Sequence, residues 1–274
     1  MTQLYEAVVL ITGASGGFGQ ELTRQLLEAG SRLILTDLDE VVLRQRVEAI
    51  QAQIATGEVL AIIPGNLSTR QGCKNLYDQV KALNVPIDIL INNAGVGLFG
   101  RMDEVPSQKW ELVMEVNLLA PMRLSSLFVA DMIACRKGHI VNISGIAGWS
   151  VFAGMTHYAT SKFGLRGFSE GLFNEVKQYN VKVTAVYPFF TRTPILQSQR
   201  YGTLAQKIQG VPEYMVAEPE KIMRAAIKGI VDNKLQVFPD IIAQGFHILT
   251  RFSPRLVEWI NNAFTKSLEN GQYQ

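Results

Sequence analysis

Short apolar runs alternate along the chain with longer stretches in which apolar positions recur at helical spacing. Runs such as VVLI and IDILI are apolar without interruption, which is typical of strands buried on both faces of a parallel sheet. The predicted strands are Ala7–Thr12, Arg32–Asp37, Val59–Pro64, Ile87–Asn92, His139–Ser144, Lys182–Tyr187 and Gln236–Phe238. The predicted helices are Gly19–Ala29, Asp39–Ala55, Thr69–Leu83, Ser107–Cys135, Thr156–Gln178 and Glu218–Val231.

This alternation predicts an α/β protein with a single doubly wound parallel sheet of about seven strands and helices on both faces. The alternation of predicted strands and helices is interrupted at 191–217, between the last two predicted strands, and again at 241–274. We therefore expect one domain over residues 1–240, which includes 191–217 as an insertion, and a helical tail of the same domain over 241–274.

Composition and charge narrow the class of protein. Of the 274 residues, 47% are hydrophobic and 18% are charged, which excludes a disordered protein and a charge-rich coiled coil. The net charge is only +2 and no basic run occurs, so we expect no nucleic-acid partner. No secretory signal and no uncharged apolar stretch of about 18 residues is evident. Cys73 and Cys135 fit no metal spacing, so we expect no metal site. Two cysteines also make no disulfide framework, so we expect reduced thiols and a cytoplasmic protein.

A glycine-rich turn joins the first predicted strand to the first predicted helix. It reads TGASGGFG over Thr12–Gly19 and has the spacing G-x-x-x-G-x-G. Glycines allow a ligand to approach the backbone closely, and the unpaired N–H groups of a helix N-terminus attract a pyrophosphate. Because the turn lies between a strand and a helix, we interpret it as a dinucleotide-binding loop.

An acidic residue ends the second predicted strand. Asp37 lies 24 residues after Gly13, where a carboxylate accepts hydrogen bonds from an adenosine ribose and repels a 2′-phosphate. Leu38 and Ser15 carry no positive charge that would neutralise such a phosphate, so we expect NAD(H) to be preferred over NADP(H). The alternative is that Asp37 only caps the following helix.

Four motifs in register carry a family resemblance: Thr12–Gly19, Asn92–Gly95 (NNAG), Asn117 and Tyr158–Lys162 (YATSK). Together they resemble the short-chain dehydrogenase/reductase family, over roughly residues 5–240. The resemblance implies a Rossmann-like domain that binds a dinucleotide and also carries the catalytic groups, with 191–217 as the substrate loop. It also implies a homodimer or homotetramer that forms through the two long predicted helices, Ser107–Cys135 and Thr156–Gln178.

Tyr158 and Lys162 are four positions apart, so they lie on one face of their predicted helix. A neighbouring ammonium and a positively charged nicotinamide lower the pKa of a phenol from its ordinary value near 10. We expect Tyr158 to take a proton from an alcohol, or to give one to a carbonyl, while hydride moves to or from the cofactor. The alternative is an ordinary amphipathic helix with a surface lysine.

Asn117 falls inside a predicted helix, where asparagine is unfavourable, so we expect a special hydrogen bond or a local kink there. In the family the matching asparagine holds a water in a proton relay that reaches the lysine, and the resemblance gives this role to Asn117. The motif Asn92–Gly95 closes the fourth predicted strand. It either packs beside the adenosine and braces the sheet or forms a purely structural turn.

The resemblance breaks at the position of the usual catalytic serine. The family has a serine thirteen residues before the tyrosine, where this chain has Gly145. Either the loop before Tyr158 carries one extra residue and Ser144 moves into place, or Gly145 occupies the site. In the second case Ser150, Thr156 or water would be the donor, and the loss of such a donor costs about 10²–10³ in rate. We take Ser144 as the candidate.

Two further positions depart from the family pattern. Asn66 replaces a frequent aspartate and can still accept from the adenine amino group, and Phe189 replaces a usual glycine beside the nicotinamide. The expected catalytic residues are Tyr158, Lys162, Asn117 and Ser144. The expected cofactor contacts are Gly13, Ser15, Gly17, Phe18, Gly19, Asp37, Asn66, Leu67, Asn93, Ala94, Gly95, Tyr158, Lys162, Pro188 and Thr193.

The segments that would line the substrate pocket are apolar. Val96–Phe99, Ile146–Met155 and Thr191–Ala217 are rich in aromatic and aliphatic residues, so we expect a hydrophobic secondary alcohol and its ketone as substrates. One alternative is a weakly active or inactive NAD(H)-binding sensor or scaffold protein, given Gly145. Another is lyase or epimerase chemistry on the same fold.

The tail Ile241–Phe264 combines Ile, Leu, Phe and Trp259 with Arg251 and Arg255. An amphipathic helix of this kind lies on a membrane surface or covers an apolar pocket. It would also fit packing against its own domain or against a sister subunit. A peripheral membrane contact through 241–264 is therefore one expectation among several.

Overall fold

The structure is a computed structural model and describes residues 1–208 and 210–269. The strands are β1 (Val8–Thr12), β2 (Arg32–Thr36), β3 (Glu58–Ile62), β4 (Ile89–Asn92), β5 (Phe99–Gly100), β6 (Gly138–Ile143), β7 (Val181–Val186), β8 (Arg200–Tyr201) and β9 (Gln236–Val237). The helices are α1 (Gly17–Glu28), α2 (Glu40–Gln51), α3 (Arg70–Ala82), α4 (Ser107–Met114), α5 (Ala120–Cys135), α6 (Thr156–Val176), α7 (Gly202–Lys207), α8 (Pro219–Val231), α9 (Ile241–Phe252) and α10 (Pro254–Glu269).

Seven of the strands form one parallel sheet in the order β3-β2-β1-β4-β6-β7-β9. This confirms the predicted Rossmann-like α/β fold with helices on both faces of the sheet. The order reverses between β1 and β4, and ligands of such sheets bind at the carboxyl ends of the strands beside that point. The sheet therefore directs every strand-end motif to the same edge.

Strand β1 shows why uninterrupted apolar runs are needed here. Val9 and Ile11 pack into the cluster that faces α1 and α8, whereas Val8 and Leu10 pack into the cluster on the opposite face. Successive side chains of a strand point to opposite faces, so a strand covered by helices on both sides has no polar face. The core thus lies in two layers, one on each side of the sheet.

The predicted long helix over 107–135 is one helical run with an irregular centre. A π-helical turn at Glu115–Leu119 joins α4 to α5, and it contains Asn117. The run Ser107–Cys135 has the length and the mean hydropathy (1.5 over 18 residues) of a membrane-crossing helix. Its inward residues Leu124 and Phe128 nevertheless pack on the sheet, as those of a core helix do.

The predicted tail helix is divided into two. Pro254 lacks the N–H that would bond to the preceding turn, and its ring crowds that turn, which favours a break: α9 ends at Phe252 and α10 begins at Pro254. A second departure is the two-stranded sheet of β5 and β8, which no apolar pattern predicted. Residue 209 of the predicted substrate loop and residues 270–274 of the predicted tail lie outside the described residues.

Candidate active site

The glycine-rich loop is closed by steric contacts that only glycine permits. Gly13 has φ +65°, and a Cβ atom there would lie 2.7 Å from Cα of Ala94. At Gly19 a Cβ atom would lie 2.1 Å from the carbonyl oxygen of Gly13, and at Gly17 it would lie 2.8 Å from Cγ2 of Thr193. The loop, the end of β4 and the segment after β7 therefore meet at one place.

The NNAG motif at Asn92–Gly95 braces this loop. The Asn93 side-chain amide donates to the carbonyl oxygens of Thr12 (3.0 Å) and Gly13 (2.9 Å). The backbone N–H groups of Asn93 and Ala94 both donate to Oγ1 of Thr12, each at 3.0 Å. Sequence analysis included Thr12 only as the first residue of the glycine-rich motif and missed its role as the acceptor of these two bonds.

The start of α1 fits a pyrophosphate. Its N-cap residue is Gly16, which has no side chain that could cap the helix, and Gly17 and Phe18 begin the first turn. The first N–H groups of a helix have no partner inside the helix and carry the positive end of its dipole. An anionic ligand would supply the cap that the side chains do not.

Asp37 is held against the glycine-rich loop. Its Oδ2 accepts hydrogen bonds from the backbone N–H (2.9 Å) and the hydroxyl (2.7 Å) of Ser15, and its Oδ1 accepts from the Leu38 N–H (2.7 Å). The cap of α2 is instead Asp39, whose carboxylate accepts from the N–H of Val42 at 3.0 Å. The structure thus excludes the alternative that Asp37 only caps the helix.

The expected adenine contacts lie near a cavity of about 320 Å³ that Pro64, Asn66 and Thr69 help to line. Oδ1 of Asn66 accepts from both the N–H (3.0 Å) and the hydroxyl (2.7 Å) of Ser68, so the oxygen expected to receive the adenine amino group is already engaged. Leu67 is buried and packs into the core rather than lining this cavity.

Asn117 links three parts of the site. Its Oδ1 accepts from the Val96 N–H (2.8 Å), and its Nδ2 donates to the Val96 carbonyl (3.0 Å) and to Oγ of Ser161 (3.3 Å). A Cβ atom built on Gly95 would lie 3.4 Å from Oδ1 of Asn117 and 3.8 Å from Nζ of Lys162. The special hydrogen bonds and the local irregularity expected for Asn117 are both present, and π-turns of this kind are frequent at functional sites.

Lys162 and Tyr158 are one helical turn apart on α6. Nζ of Lys162 donates to the carbonyl oxygen of Ile143 (2.9 Å) and lies 5.6 Å from the centroid of the Tyr158 ring. Burial lowers the pKa of Lys162 to about 8 and raises the pKa of Tyr158 to about 12. The apolar contacts of Tyr158 with Leu98 and its neighbours disfavour the phenolate, and the lowering of the phenol pKa by a bound nicotinamide stays a prediction.

Ser144 does not present a free hydroxyl. Its side chain is buried, and Oγ donates to the carbonyl oxygen of Lys162 at 3.0 Å. A hydroxyl has a single proton, so Ser144 would have to leave this bond before it could donate to a substrate oxygen. Gly145 has φ +105°, and a Cβ atom there would lie 3.8 Å from the Pro188 carbonyl, with no closer neighbour. The geometry thus differs from the one expected for the Ser144 candidate.

The other expected donors are placed differently. The Ser150 hydroxyl exchanges hydrogen bonds with the side chain of Asn261 in α10, whose amide also donates to the Val151 carbonyl at 3.2 Å. Thr156 is exposed at the start of α6. The loop that follows Gly145 is therefore fastened to the tail, a connection that residues about 110 positions apart in the sequence did not reveal.

The segment after β7 is also fastened to the tail. The Phe189 N–H donates to Oδ2 of Asp240 (3.0 Å), and Oδ1 of the same carboxylate accepts from the Ala243 N–H (2.7 Å) at the start of α9. The Phe189 ring is buried and stacks on Phe246 of α9, with the ring centroids 5.4 Å apart. Sequence reasoning missed Asp240, since a helix cap alone does not show a second partner.

A chain of buried amides crosses the sheet behind the site. Nδ2 of Asn92 donates to Oδ1 of Asn142 (2.9 Å), and Nδ2 of Asn142 donates to Oγ of Ser169 (2.9 Å) on α6. The Ser169 hydroxyl in turn donates to the Leu165 carbonyl (2.7 Å). The chain connects the ends of β4 and β6 to the helix that carries Tyr158.

The family model described as short chain dehydrogenase matches residues 7–203. Epidermal retinol dehydrogenase 2 of Homo sapiens is 30% identical over 251 residues, which are 90% of this chain and 78% of that protein. A bulky-bulky ketone specific alcohol dehydrogenase from Comamonas testosteroni has a similar structure, with 25% identity, a TM-score of 0.75 and 92% and 94% of the two chains covered. A short-chain dehydrogenase from Sphingobium yanoikuyae in complex with NADPH is also similar in structure, with 25% identity and a TM-score of 0.75. The match covers 86% of this chain and 88% of that chain.

The match of the family model over most of the chain agrees with the seven-stranded sheet, the glycine-rich loop and the Tyr158–Lys162 pair described above. The similar human protein and the similar solved structures are all dehydrogenases by name. The protein is an oxidoreductase with an NAD-binding Rossmann fold and belongs to the short-chain dehydrogenase/reductase family.

Proposed function

We propose that the protein is an NAD(H)-dependent oxidoreductase that interconverts a hydrophobic secondary alcohol and its ketone, with Tyr158 as the general acid and base. The observation that carries this proposal is the convergence of Asn117 and Lys162 on Gly95, with the Tyr158 ring one helical turn from Lys162. Three motifs that are far apart in sequence thereby surround one point at the carboxyl end of β4.

In this proposal each side chain has one task. The bound nicotinamide would supply the hydride acceptor or donor. Tyr158 gives its phenol proton to the carbonyl oxygen in reduction and takes a proton from the hydroxyl in oxidation. Lys162, whose pKa burial lowers to about 8, exchanges protons near neutral pH and supports the charge of Tyr158. Asn117 orients the loop at Val96 and holds the proton relay that leads to Lys162.

Asp37 supports a preference for NAD(H). Its carboxylate is fixed by Ser15, so a 2′-phosphate at this place would meet a negative charge that cannot easily turn away. The nearest arginine on α2, Arg44, forms an ion pair with Glu40 at 2.7 Å and is not held for a phosphate. A similar solved structure, from Sphingobium yanoikuyae, is a complex with NADPH. The proposed preference for NAD(H) therefore rests on Asp37 and not on the fold.

The side chains around the segment after Gly145 support a hydrophobic substrate. Ile146 and Phe189 form a buried apolar cluster with Phe190, Met215 and Phe246. A substrate bound beside this cluster would meet apolar groups and few partners for a charge. Retinol and bulky ketones, which occur in the names of the human relative and the Comamonas testosteroni enzyme, belong to the same chemical class.

The test of the proposed function is Tyr158→Phe, which removes the hydroxyl and keeps the ring. We expect turnover of an apolar ketone panel with NADH to fall about 10²–10⁴-fold, because proton transfer contributes that much. NADH binding, measured by fluorescence titration, should stay unchanged. The matched control is Tyr77→Phe on α3, which loses only its 3.2 Å bond to Asp131 and should keep full activity. Equal activity of Tyr158→Phe and wild type would refute the proposal.

A weakly active NAD(H)-binding sensor is the second candidate, and the geometry of Ser144 favours it. With Gly145 at the serine position and the Ser144 hydroxyl on the Lys162 carbonyl, the substrate oxygen has one donor fewer than in the usual site. Wild-type protein that binds NADH tightly and turns over no member of a broad alcohol and ketone panel would establish this candidate.

We also propose a homodimer or homotetramer built on the run Ser107–Cys135 and on α6. Leu112, Met122 and Phe163 on these helices are large apolar side chains that are 37–40% exposed. Sedimentation equilibrium of the full chain tests this assignment, and a monomer at micromolar concentration would contradict it.

A further inference from the structure

Helix α9 has two apolar faces, and the described residues cover only one of them. Ala243 is fully buried, and Phe246 packs against Phe189 beside the active site. Ile248 and Phe252 lie half a turn away on the opposite face and are 55% and 80% exposed. A contiguous exposed apolar face on a helix whose other face is already buried marks a site of contact with a partner or with lipid.

The exposed face continues onto α10, which packs against α9. Leu256 is 42% exposed and Trp259 is 66% exposed, whereas Val257 faces inward and is buried. We call five of the exposed apolar residues of these helices the tail surface: Ile241, Ile248, Phe252, Leu256 and Trp259. Ile242, which is 37% exposed, is not part of it. Its members project outward from the same two helices whose inner side holds Phe189 and the loop at Ser150.

Two exposed arginines and one exposed carboxylate, Glu258, accompany the tail surface. Arg251 and Arg255 are exposed, and neither forms an ion pair with the described side chains of residues 1–208, 210–253 and 255–263. Arg255 lies one helical turn before Trp259, so the two side chains share a face of α10. Arginine beside exposed aromatic and aliphatic groups is the composition of helices that lie in the interface of an anionic membrane.

The size of the tail surface distinguishes a lipid layer from a second copy of the chain. A stable protein–protein interface uses about 20–30 residues on each side, whereas the tail surface has five apolar side chains. A lipid layer requires no such complementary area, because each apolar side chain that enters it gains free energy independently. Trp259 also suits the boundary between headgroups and acyl chains.

We propose that the tail surface docks the protein peripherally onto an anionic lipid layer, with Ile248, Phe252 and Trp259 inserted and Arg255 against the headgroups. The docking rests on the proposed function in one respect, since it names a lipid layer as the source of the hydrophobic substrate. Binding is measured without turnover, so a failure of the reaction and a failure of the docking are seen separately.

The experiment is vesicle flotation of the full chain with phosphatidylcholine vesicles, with and without phosphatidylserine. We expect wild type to float with the vesicles that contain phosphatidylserine, and its tryptophan emission to shift to shorter wavelength. The shift should be absent in Trp259→Phe, because Trp110 and Trp149 are already partly buried. Ile248→Ser/Phe252→Ser should weaken partitioning at least about tenfold, and Arg255→Glu should abolish the preference for phosphatidylserine.

The matched control is Val41→Ser on α2, which removes a 65% exposed apolar side chain far from the tail in sequence and should leave partitioning unchanged. Unaltered circular dichroism and NADH binding show that each variant is folded. The proposal is overturned if wild type does not float with either vesicle, or if Ile248→Ser/Phe252→Ser floats as well as wild type. It is also overturned if this double variant dissociates an oligomer and no form of the protein floats, which would assign the tail surface to a second copy.

Discussion

The cofactor side and the substrate side of the site are built in different ways. On the cofactor side, the loop Thr12–Gly19 is confined by close contacts, such as that of Gly13 with Ala94 at the end of β4 and that of Gly17 with Thr193 after β7. On the substrate side, aromatic rings and two tail connections, through Asp240 and Asn261, position the segments after β6 and β7.

This difference teaches where change is tolerated. A loop in which Cβ atoms cannot fit accepts almost no substitution, because any side chain displaces backbone. Packed rings such as Phe189 and Phe246 can be exchanged for other apolar groups at modest cost if the volume is kept. The cofactor side therefore tolerates few substitutions, whereas the substrate side tolerates apolar substitutions that change the shape of the site.

Among the tests of this comparison, the largest effect is expected for Gly19→Ala, which tests the rigidity of the cofactor side. A Cβ atom at 2.1 Å from the Gly13 carbonyl oxygen forces the loop to move, so we expect NADH affinity to fall at least about a hundredfold by calorimetric titration. The control is Gly171→Ala on α6, which meets nothing within 4 Å and should stabilise the fold by about 0.5–1 kcal/mol. Normal NADH binding by Gly19→Ala would break the comparison.

The pH dependence tests the opposite charge preferences of the two catalytic groups. Because burial raises the pKa of Tyr158 to about 12, the phenolate needed for alcohol oxidation grows about tenfold per pH unit at neutral pH. The protonated phenol needed for ketone reduction is present throughout this range, so reduction should stay flat until Lys162 loses its charge near pH 8. Initial rates between pH 6 and 8 in both directions check the sign. Oxidation that falls as the pH rises would contradict the assignment of Tyr158.

Asp37→Ala tests how far the cofactor side depends on one carboxylate. We expect the KM for NAD to rise about tenfold and the exclusion of NADP to weaken, because the ribose loses an acceptor and the 2′-phosphate loses a repelling charge. Asp39→Ala is the matched control, since it removes the α2 cap at a cost of about 1 kcal/mol and leaves the cofactor preference unchanged. Equal affinity of wild type for NAD and NADP would make the assignment untenable.

The smallest effect on rate is expected for Ser144→Ala on the substrate side. The hydroxyl is bonded to the Lys162 carbonyl, so its loss should lower the free energy of unfolding by about 1–3 kcal/mol and slow turnover less than about tenfold. Ser150→Ala serves as the comparison, because it breaks the bond to Asn261 instead. If Ser144→Ala alone slowed turnover by about two to three orders of magnitude, the serine would have to turn to the substrate.

The sequence predicted the sheet well because each strand is an apolar run with a clear end. The seven predicted strands agree with those of the central sheet to within one or two residues at each end. The pair β5 and β8 was missed since each has only two residues, and no periodicity exists over so short a length. The division of the tail at Pro254 was missed although proline is a known signal, because the apolar pattern runs across it.

The positions of the motifs were predictable, but their partners were not. Asn117 was expected to be irregular, and the structure adds that its amide closes on the backbone of Val96. The bond from Ser144 to the Lys162 carbonyl depends on how the end of β6 meets α6, and no local pattern reports that. The same holds for Asp240, whose second partner lies 51 positions earlier in the chain.

The buried amides behind the site have a consequence for folding. Asn92 and Asn142 are directly paired across β4 and β6, and any other register of these two strands would break the amide–amide hydrogen bond between them in an apolar core. The loss of one such buried bond costs about 1–3 kcal/mol, since it leaves a buried group without that partner. This hydrogen bond therefore favours the native register of β4 and β6 at the strand ends beside Gly95.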